Sequence, residues 1–334
     1  MHTELLRVDA VHPEREVLAR AAELLRRGDL VAFPTETVYG LGANALDAEA
    51  VKRIFAAKGR PAQNPIIVHV AEVAGAWALV KDWPETAERL AQHFWPGPLT
   101  LVLPRTEHVP DIVTAGGPTV AIRVPAHPVA RELLRACGLP LAAPSANRSS
   151  RLSPTLAEHV RRDLDGRIAM ILDGGPTPGG LESTVLDLTA QPPRILRPGL
   201  VGPADLEAVV GPIELSAWSS ARPEPLRSPG MLLKHYAPRT RLECVEAGGV
   251  AKVKAHRRGG LSVGWITFAG WNLEEAGVVV KTLPPAPVGY SAGLYAALHE
   301  LDGLDLDVIV VDLPPRTPDW LAVHDRLRRA SAKE

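Results

Sequence analysis

The sequence predicts an α/β protein with two domains. Short apolar runs typical of strands alternate with segments of helical spacing; the helical pattern at 14–27, for example, leads into the apolar run at 30–33. Several strand-like runs follow one another with no helix between them, which favours a mixed, partly antiparallel sheet. The length of 334 residues exceeds that of one ordinary domain. These observations predict a twisted mixed sheet with helices, followed by a linker and a smaller Rossmann-like α/β domain.

The first domain is predicted to span residues 1–210. Helical spacing indicates four helices, and Asp47 is expected to cap the second. Ser153 could cap the fourth helix, as the alternative to a role in binding. The predicted helices are 14–27, 47–57, 86–93 and 156–164. The predicted strands are 30–33, 65–70, 99–103, 120–124, 141–143, 169–172 and 183–188.

The character of the chain changes after residue 210. Residues 211–238 contain five prolines and little periodicity, which predicts an interdomain linker. Residues 239–334 then alternate between strand and helix patterns, as expected of a small Rossmann-like domain. The predicted elements are strands at 261–266, 278–280 and 308–311, and helices at 291–301 and 320–330.

Composition narrows the class of protein. Hydrophobic residues make up 46% and charged residues 22%, the balance of a globular protein. The net charge of −1 argues against a surface that binds nucleic acid throughout, although a local basic groove stays open. The two cysteines, Cys137 and Cys244, have no paired spacing, so we expect neither a disulfide framework nor a cysteine zinc site, and a cytoplasmic location. No apolar run approaches the roughly 20 residues that span a bilayer, so no membrane partner is expected.

The most informative segment is 34–42, which follows the first predicted strand of this domain. It carries Thr35, Glu36, Thr37 and Tyr39 at a strand end, where α/β proteins bind ligands. The alternative is a turn whose threonines satisfy local backbone groups. For Glu36 two interpretations stay open: it orders the loop or it receives a proton.

Charged residues follow or interrupt other predicted elements. Lys58 and Arg60 flank a glycine and precede Asn64, which predicts cations on a loop able to hold phosphates; a helix end whose cations complement the dipole is the alternative. Arg123 lies inside an apolar strand, where its fork suits a carboxylate or a phosphate, and a structural role has similar weight. His69 is placed likewise, and such a histidine is more often a hydrogen-bonded core residue than a catalyst.

The segment 289–293 matches the G-x-S-x-G pattern of a hydrolase nucleophile elbow, with Asp312 and His324 later in the chain. An elbow must follow a strand, however, and the proline-rich run 284–287 precedes this one. A hydrolase is therefore a minor alternative.

Ten motifs, in this order, resemble those of the threonylcarbamoyl-AMP synthase family in its long form. They are PTETVYGL at 34–41, KGRP at 58–61 with NP at 64–65, WPGPLT at 95–100, IRVP at 122–125, SAN at 145–147, SPT at 153–155, ESTV at 182–185, RPG at 197–199, PGM at 229–231 and HYAP at 235–238. The resemblance implies a YrdC-like catalytic domain joined to a C-terminal domain. It also implies ATP-dependent synthesis of L-threonylcarbamoyladenylate from L-threonine and bicarbonate or CO2, with release of pyrophosphate.

The resemblance further implies the residues of the site. Those expected to contact threonine are Thr35, Thr37, His69, Arg123, Ala143 and Ser183. Those expected to contact ATP are Lys58, Arg60, Asn64, Thr119, Ser145, Ser153, Arg197 and Tyr236. Ala143 stands where the family often has a hydroxyl residue, so backbone groups would have to serve there. The linker is expected to close over the site and to bring Tyr236 to the nucleotide.

No protein ligands for a metal are expected, and Mg2+ would be held by the ATP phosphates and water. The product would pass to a tRNA threonylcarbamoyl transferase complex, and direct contact with RNA is a further expectation. Two alternatives stay open. One is an RNA-binding protein without enzymatic activity, which the scarcity of aromatic residues argues against. The other is a related carbamoyl-transfer domain that does not require threonine.

Overall fold

The described residues form two compact units. The computed structural model describes residues 2–61, 63–215, 236–246, 248–268 and 276–332. The first unit holds the described residues up to 215 except for two short segments, Ser150–Ser153 and Gly179–Leu181. These segments belong to the second unit, together with the described residues from 236 onwards. Most of the predicted linker, 216–235, lies outside the described residues, and the predicted boundaries at 210 and 238 stay predictions.

The first unit is built on a mixed sheet of eleven described strands, ordered β1-β8-β2-β3-β7-β4-β6-β5-β9-β10-β11. Parallel and antiparallel neighbours both occur in it, as the successive strand patterns predict. The strands are β1 (Glu4–Arg7), β2 (Val31–Phe33), β3 (Gly40–Asn44), β4 (Ile67–His69), β5 (Leu99–Pro104), β6 (Thr119–Arg123), β7 (Leu141–Ala142), β8 (Met170–Asp173), β9 (Thr184–Asp187), β10 (Arg194–Arg197) and β11 (Glu214–Leu215).

Helices of the first unit cover this sheet with apolar faces. Their bounds are α1 (Arg15–Arg26), α2 (Ala48–Lys58), α3 (Val73–Trp77), α4 (Glu85–Phe94), α5 (Asp111–Thr114), α6 (Pro128–Cys137), α7 (Ala157–Leu164) and α8 (Pro203–Val210). Asp47 caps α2 as predicted, because its carboxylate accepts from the amides of Glu49 and Ala50. Gly59 ends this helix in the left-handed conformation.

The second unit contains a parallel sheet of four described strands in the order β12-β15-β13-β14. The strands are β12 (Arg241–Val245), β13 (Val263–Thr267), β14 (Val278–Thr282) and β15 (Val308–Asp312), and the helices are α9 (Gly249–Arg258), α10 (Pro287–Asp302) and α11 (Leu321–Ala330). A parallel sheet joined by helices is the small Rossmann-like arrangement that the strand and helix patterns predict. No helix in the described part of the chain is long and apolar enough to cross a membrane.

The structure excludes two local alternatives that the sequence left open. The interpretation of 289–293 as a nucleophile elbow fails because these residues lie inside helix α10, where no strand-to-helix turn exposes Ser291. The Asp312 carboxylate accepts instead from the Trp265 indole. Ser153 also does not cap the following helix, since α7 begins four residues later with Leu156 at its N-cap.

Candidate functional site

Arg123 ends strand β6 and lies inside the first unit with 3% of its side chain exposed. Its Nε donates to the carbonyl of Gly97 at 3.0 Å, and its Nη1 donates to Oγ1 of Thr37 at 3.0 Å. Its Nη2 lies 2.6 Å from Oε1 of Glu36. The guanidinium is thus held in a buried position by contacts with two other segments of the chain, the one around Gly97 and the loop that carries Glu36 and Thr37.

The loop between β2 and β3 forms the local turn that its sequence suggests, and it also contacts Arg123. Oγ1 of Thr35 donates to the carbonyl of Val38 at 2.7 Å and accepts from the amide of Thr37, which closes a local turn. Oγ1 of Thr37 lies 2.7 Å from Oγ1 of Thr35 and also accepts from Arg123. Thr35 therefore shapes the turn, whereas Thr37 connects that turn to the arginine.

His69 lies beside this arginine, because parallel strands β4 and β6 place His69 opposite Arg123 in register. The imidazole is buried, and its Nδ1 has no hydrogen-bond partner among the described residues. Burial, and secondarily the charge of Arg123, lowers the pKa of His69 to about 3. His69 is therefore a neutral side chain at physiological pH, able to exchange hydrogen bonds but not to carry charge.

The low pKa of His69 predicts a pH effect on stability. The unfolded histidine takes up a proton as the pH falls below about 6.5, whereas the folded one stays neutral down to about 3, so stability is lost in this window. The loss is roughly 1.4 kcal/mol per pH unit. We expect His69→Gln to reduce the loss of unfolding free energy between pH 6.5 and 4 by about 3 kcal/mol in urea titrations. His93→Gln, at an exposed position of α4, is the matched control, and an unchanged slope in His69→Gln would contradict the prediction.

Ser183 and Arg197 form a second buried group. Nη2 of Arg197 donates to the carbonyl of Ser183 at 2.9 Å and to its Oγ at 3.1 Å. The hydroxyls of Ser183 and Thr100 lie 2.8 Å apart. Gly199 is required nearby, since a Cβ there would lie 2.3 Å from the amide nitrogen of Thr184. Arg197, predicted from the family for the nucleotide, thus positions a residue predicted for threonine. Thr100 was not singled out, although it lies in the WPGPLT motif.

Lys58 is placed differently from its sequence prediction. It is the last residue of helix α2 and is almost fully buried, not a cation on a loop. Its Nζ donates to the carbonyls of Ser145, at 2.6 Å, and Asn147, and the carbonyl of Lys58 accepts from the amide of Ser149. Burial and the charge of Arg60 lower the pKa of Lys58 well below its usual value. Lys58 thus secures the loop that carries Ser145.

Other residues predicted to contact ATP lie near the starts of strands β4 and β6. Arg60 donates to the carbonyls of Asn64 and Pro65, just before β4. Thr119 begins β6, which runs parallel to β4, so Thr119 and Asn64 lie at the same end of adjacent strands. Antiparallel β7 brings Ser145 to this end as well.

His69 and Arg123 lie at the opposite end of strands β4 and β6. Ala143 does not accompany them, because its amide donates to the carbonyl of Ile67 near the start of β4. Its N–H is therefore used within the sheet, and any substrate contact falls to its carbonyl.

Two of the predicted site residues belong to the second unit. Ser153 is fully buried, and its carbonyl lies 3.0 Å from Nε2 of His299. Tyr236 is buried with its ring 6.0 Å from that of Tyr295 and 5.0 Å from the guanidinium carbon of Arg326. Their contact with a nucleotide stays a prediction.

Several buried polar atoms of the first unit lack hydrogen-bond partners and indicate where ligands bind. Buried side-chain atoms without a hydrogen bond in the described part of the chain include both carboxylate oxygens of Glu36, both amide atoms of Asn64, Nδ1 of His69 and Nη2 of Arg123. Buried polar groups are nearly always hydrogen-bonded, so the exceptions around Arg123, and those of Asn64 at the other end of β4, indicate that ligands or water complete them. Glu36 and Arg123 contact each other as an ion pair, but without a directed hydrogen bond. Fold and site together define an α/β protein that binds small polar ligands.

Comparison with known proteins gives the same class in more detail. Residues 23–199 match the family model described as "Telomere recombination" (Sua5, YciO and YrdC), and residues 201–332 match "Threonylcarbamoyl-AMP synthase, C-terminal domain". The chain is 47% identical over 324 residues to the threonylcarbamoyl-AMP synthase of Bacillus subtilis, covering 94% of this chain and 92% of that protein. Identity to the synthase of Pyrococcus abyssi is 46% over 322 residues, 93% of each chain.

Solved structures agree with these relatives. A crystal structure of P. abyssi Sua5 complexed with L-threonine superimposes with a TM-score of 0.92 at 44% identity, over 98% of both chains. Escherichia coli YciO matches 59% of this chain and 96% of its own, with a TM-score of 0.54 and 26% identity. The chain belongs to the threonylcarbamoyl-AMP synthase family. The predicted fold class, family and enzyme class are thereby confirmed.

Proposed function

We propose that this protein makes L-threonylcarbamoyladenylate and pyrophosphate from L-threonine, ATP and bicarbonate or CO2, with the residues described above. One observation carries the assignment of the threonine site: a buried arginine, ion-paired with Glu36, beside the unpartnered Nδ1 of His69 and Oε2 of Glu36. The P. abyssi relative was crystallised with L-threonine, which supports the same substrate class here. The product would pass to a tRNA threonylcarbamoyl transferase complex in the cytoplasm.

Threonine is a zwitterion, and the chemistry at the Arg123 end of β6 suits one. The planar fork of Arg123 matches a carboxylate in shape and charge. A substrate carboxylate would share Nη2 with Glu36, whose ion pair with it lacks hydrogen-bond geometry. Thr37 and neutral His69 offer groups that exchange hydrogen bonds with the substrate amine and hydroxyl. Ser183 would serve the same purpose, held by Arg197 and Thr100.

ATP is assigned to the other end of β4 and β6. Arg60 supplies a cation there, Asn64 has two unpartnered amide atoms, and Thr119 and Ser145 supply hydroxyls. This set has one cation, neutral amide and hydroxyl groups and no carboxylate, so it suits phosphates rather than a metal. Mg2+, held by those phosphates and by water, would neutralise part of their charge. Ser153, Arg197 and Tyr236 remain further candidates for the nucleotide.

Catalysis is proposed to work by positioning and by charge stabilisation. The threonine amine forms a carbamate with CO2, and a carbamate oxygen then attacks the α-phosphorus of ATP as pyrophosphate leaves. These steps become effectively intramolecular when the bound nucleotide extends from the Arg60 end towards the threonine site, so that its α-phosphorus meets the carbamate.

The proposed function is tested by pyrophosphate release with ATP, bicarbonate and each amino acid in turn. We expect release that depends on threonine. Release without such dependence would favour a related carbamoyl-transfer activity. No release, together with tight RNA binding, would favour an RNA-binding protein.

A further inference from the structure

Glu36 is a buried carboxylate whose surroundings are incomplete. Its Oε1 lies 2.6 Å from Nη2 of Arg123, and 13% of the side chain is exposed. Both carboxylate oxygens are buried, and neither accepts a directed hydrogen bond from the described residues. An ionised carboxylate has about four acceptor positions, so a single ion-pair contact leaves most of its capacity unused. Glu36 therefore has room for a further donor, which a ligand or water supplies.

Charge balance indicates what that donor is. The charges of Arg123 and Glu36 compensate each other, but a substrate carboxylate on Arg123 would add a second negative charge. Two titratable histidines interact electrostatically with this pair, His69 with Arg123 and His127 with Glu36. Burial lowers the pKa of both, more than the charge of Glu36 raises that of His127. Nδ1 of His127 also accepts from the amide of Val129, at the start of α6. Neither histidine supplies a cation, so the ammonium group of the amino acid is left to do so.

We infer that Glu36 binds the threonine ammonium group and takes its proton, which makes Glu36 the base of carbamate formation. This inference rests on the proposed function. An ammonium nitrogen has no lone pair and cannot attack CO2. A proton therefore passes from nitrogen to an oxygen of Glu36, which leaves a neutral amine. The amine lone pair then forms the N–C bond while one C–O π bond of CO2 breaks onto oxygen. The second N–H proton goes to water, and the protonated Glu36 returns its proton to solvent after the product leaves.

The test is the pH profile of Glu36→Gln, which keeps the shape of the side chain and removes the base. Threonine-dependent pyrophosphate release is measured between pH 6.5 and 9.5 with saturating ATP. We expect kcat to fall by about 10²-fold or more at pH 7, in the usual range for a lost general base. It should then rise about tenfold per pH unit up to the pKa of the substrate amine, because solvent must deprotonate that amine. The wild-type rate should vary much less over this range. Glu49→Gln, on the exposed face of α2, is the matched control.

A wild-type pH profile in Glu36→Gln would overturn the inference and leave Glu36 only an ordering role. Glu36→Asp is the control for loss of folding, because it keeps the negative charge beside Arg123. It also moves the carboxylate back by one methylene. We expect its melting temperature to stay near that of the wild type while kcat drops at least tenfold; a wild-type kcat would also contradict the inference. If wild-type protein releases no pyrophosphate with threonine at any pH, the proposed function itself fails, which is a separate outcome.

Discussion

Arg123→Ala is expected to abolish threonine-dependent pyrophosphate release. Arg123 is buried and ion-paired with Glu36, and it is the proposed partner of the substrate carboxylate. Removing one member of a buried charge pair costs about 2–5 kcal/mol, which corresponds to a loss of roughly 30- to 5,000-fold in kcat/KM. We expect the upper part of this range, because the substrate carboxylate and Glu36 would both lose their partner. The measurement is kcat/KM for threonine with ATP and bicarbonate saturating.

The variant needs a control for folding, since Arg123→Ala leaves the buried carboxylate of Glu36 uncompensated. The double variant Arg123→Ala/Glu36→Gln removes that charge and should recover most of the melting temperature without recovering activity. Arg123→Lys keeps the charge but loses the planar fork, so it should bind threonine more weakly than wild type. An unchanged threonine affinity in the folded double variant would remove Arg123 from the site.

The order of elements could be predicted from the sequence because apolar spacing reflects burial directly. The glycine-rich strand β3 was not predicted, since 40–44 has almost no strand pattern. It forms because Gly42 lets the Phe33 ring pack on the strand; a Cβ at Gly42 would lie 2.8 Å from that ring. Helix α6 was also missed, although Pro128 at its first turn and Gly138 just past its end are ordinary helix signals. Tertiary contacts explain the first error, and overlooked capping signals explain the second.

The residues of the site were selected by motif, and their spatial grouping was not predictable in the same way. His69 and Arg123 meet because β4 and β6 are parallel neighbours, although 53 other residues separate them along the chain. The role of Glu36 depends on its distance to Arg123, which no local pattern encodes. Lys58 was expected on a loop because a glycine and a proline follow it. Helix α2 continues through Lys58 and ends only at Gly59.

Lys58→Met is expected to destabilise the first unit and to weaken ATP binding together. The ammonium donates to the carbonyls of Ser145 and Asn147, and methionine cannot replace those hydrogen bonds. Leaving buried carbonyls without partners costs about 1–3 kcal/mol for each group. We therefore expect a loss of about 2–5 kcal/mol in the free energy of unfolding. Because the Ser145 loop would lose its anchor, the KM for ATP should rise at least tenfold.

Lys52→Met is the matched control, because Lys52 lies on the exposed side of the same helix, where it pairs with Glu49. Surface pairs of this kind contribute about 0–1 kcal/mol, so the melting temperature and the KM for ATP should stay near the wild-type values.

Comparing the melting temperature with the KM for ATP separates two roles for Lys58. An anchor for the loop lowers the melting temperature of the ATP-free protein and raises the KM for ATP. A direct phosphate contact would raise the KM alone, since the ammonium would then have no structural task in the absence of nucleotide. The two hydrogen bonds to backbone carbonyls favour the anchor, and wild-type melting in Lys58→Met would contradict it.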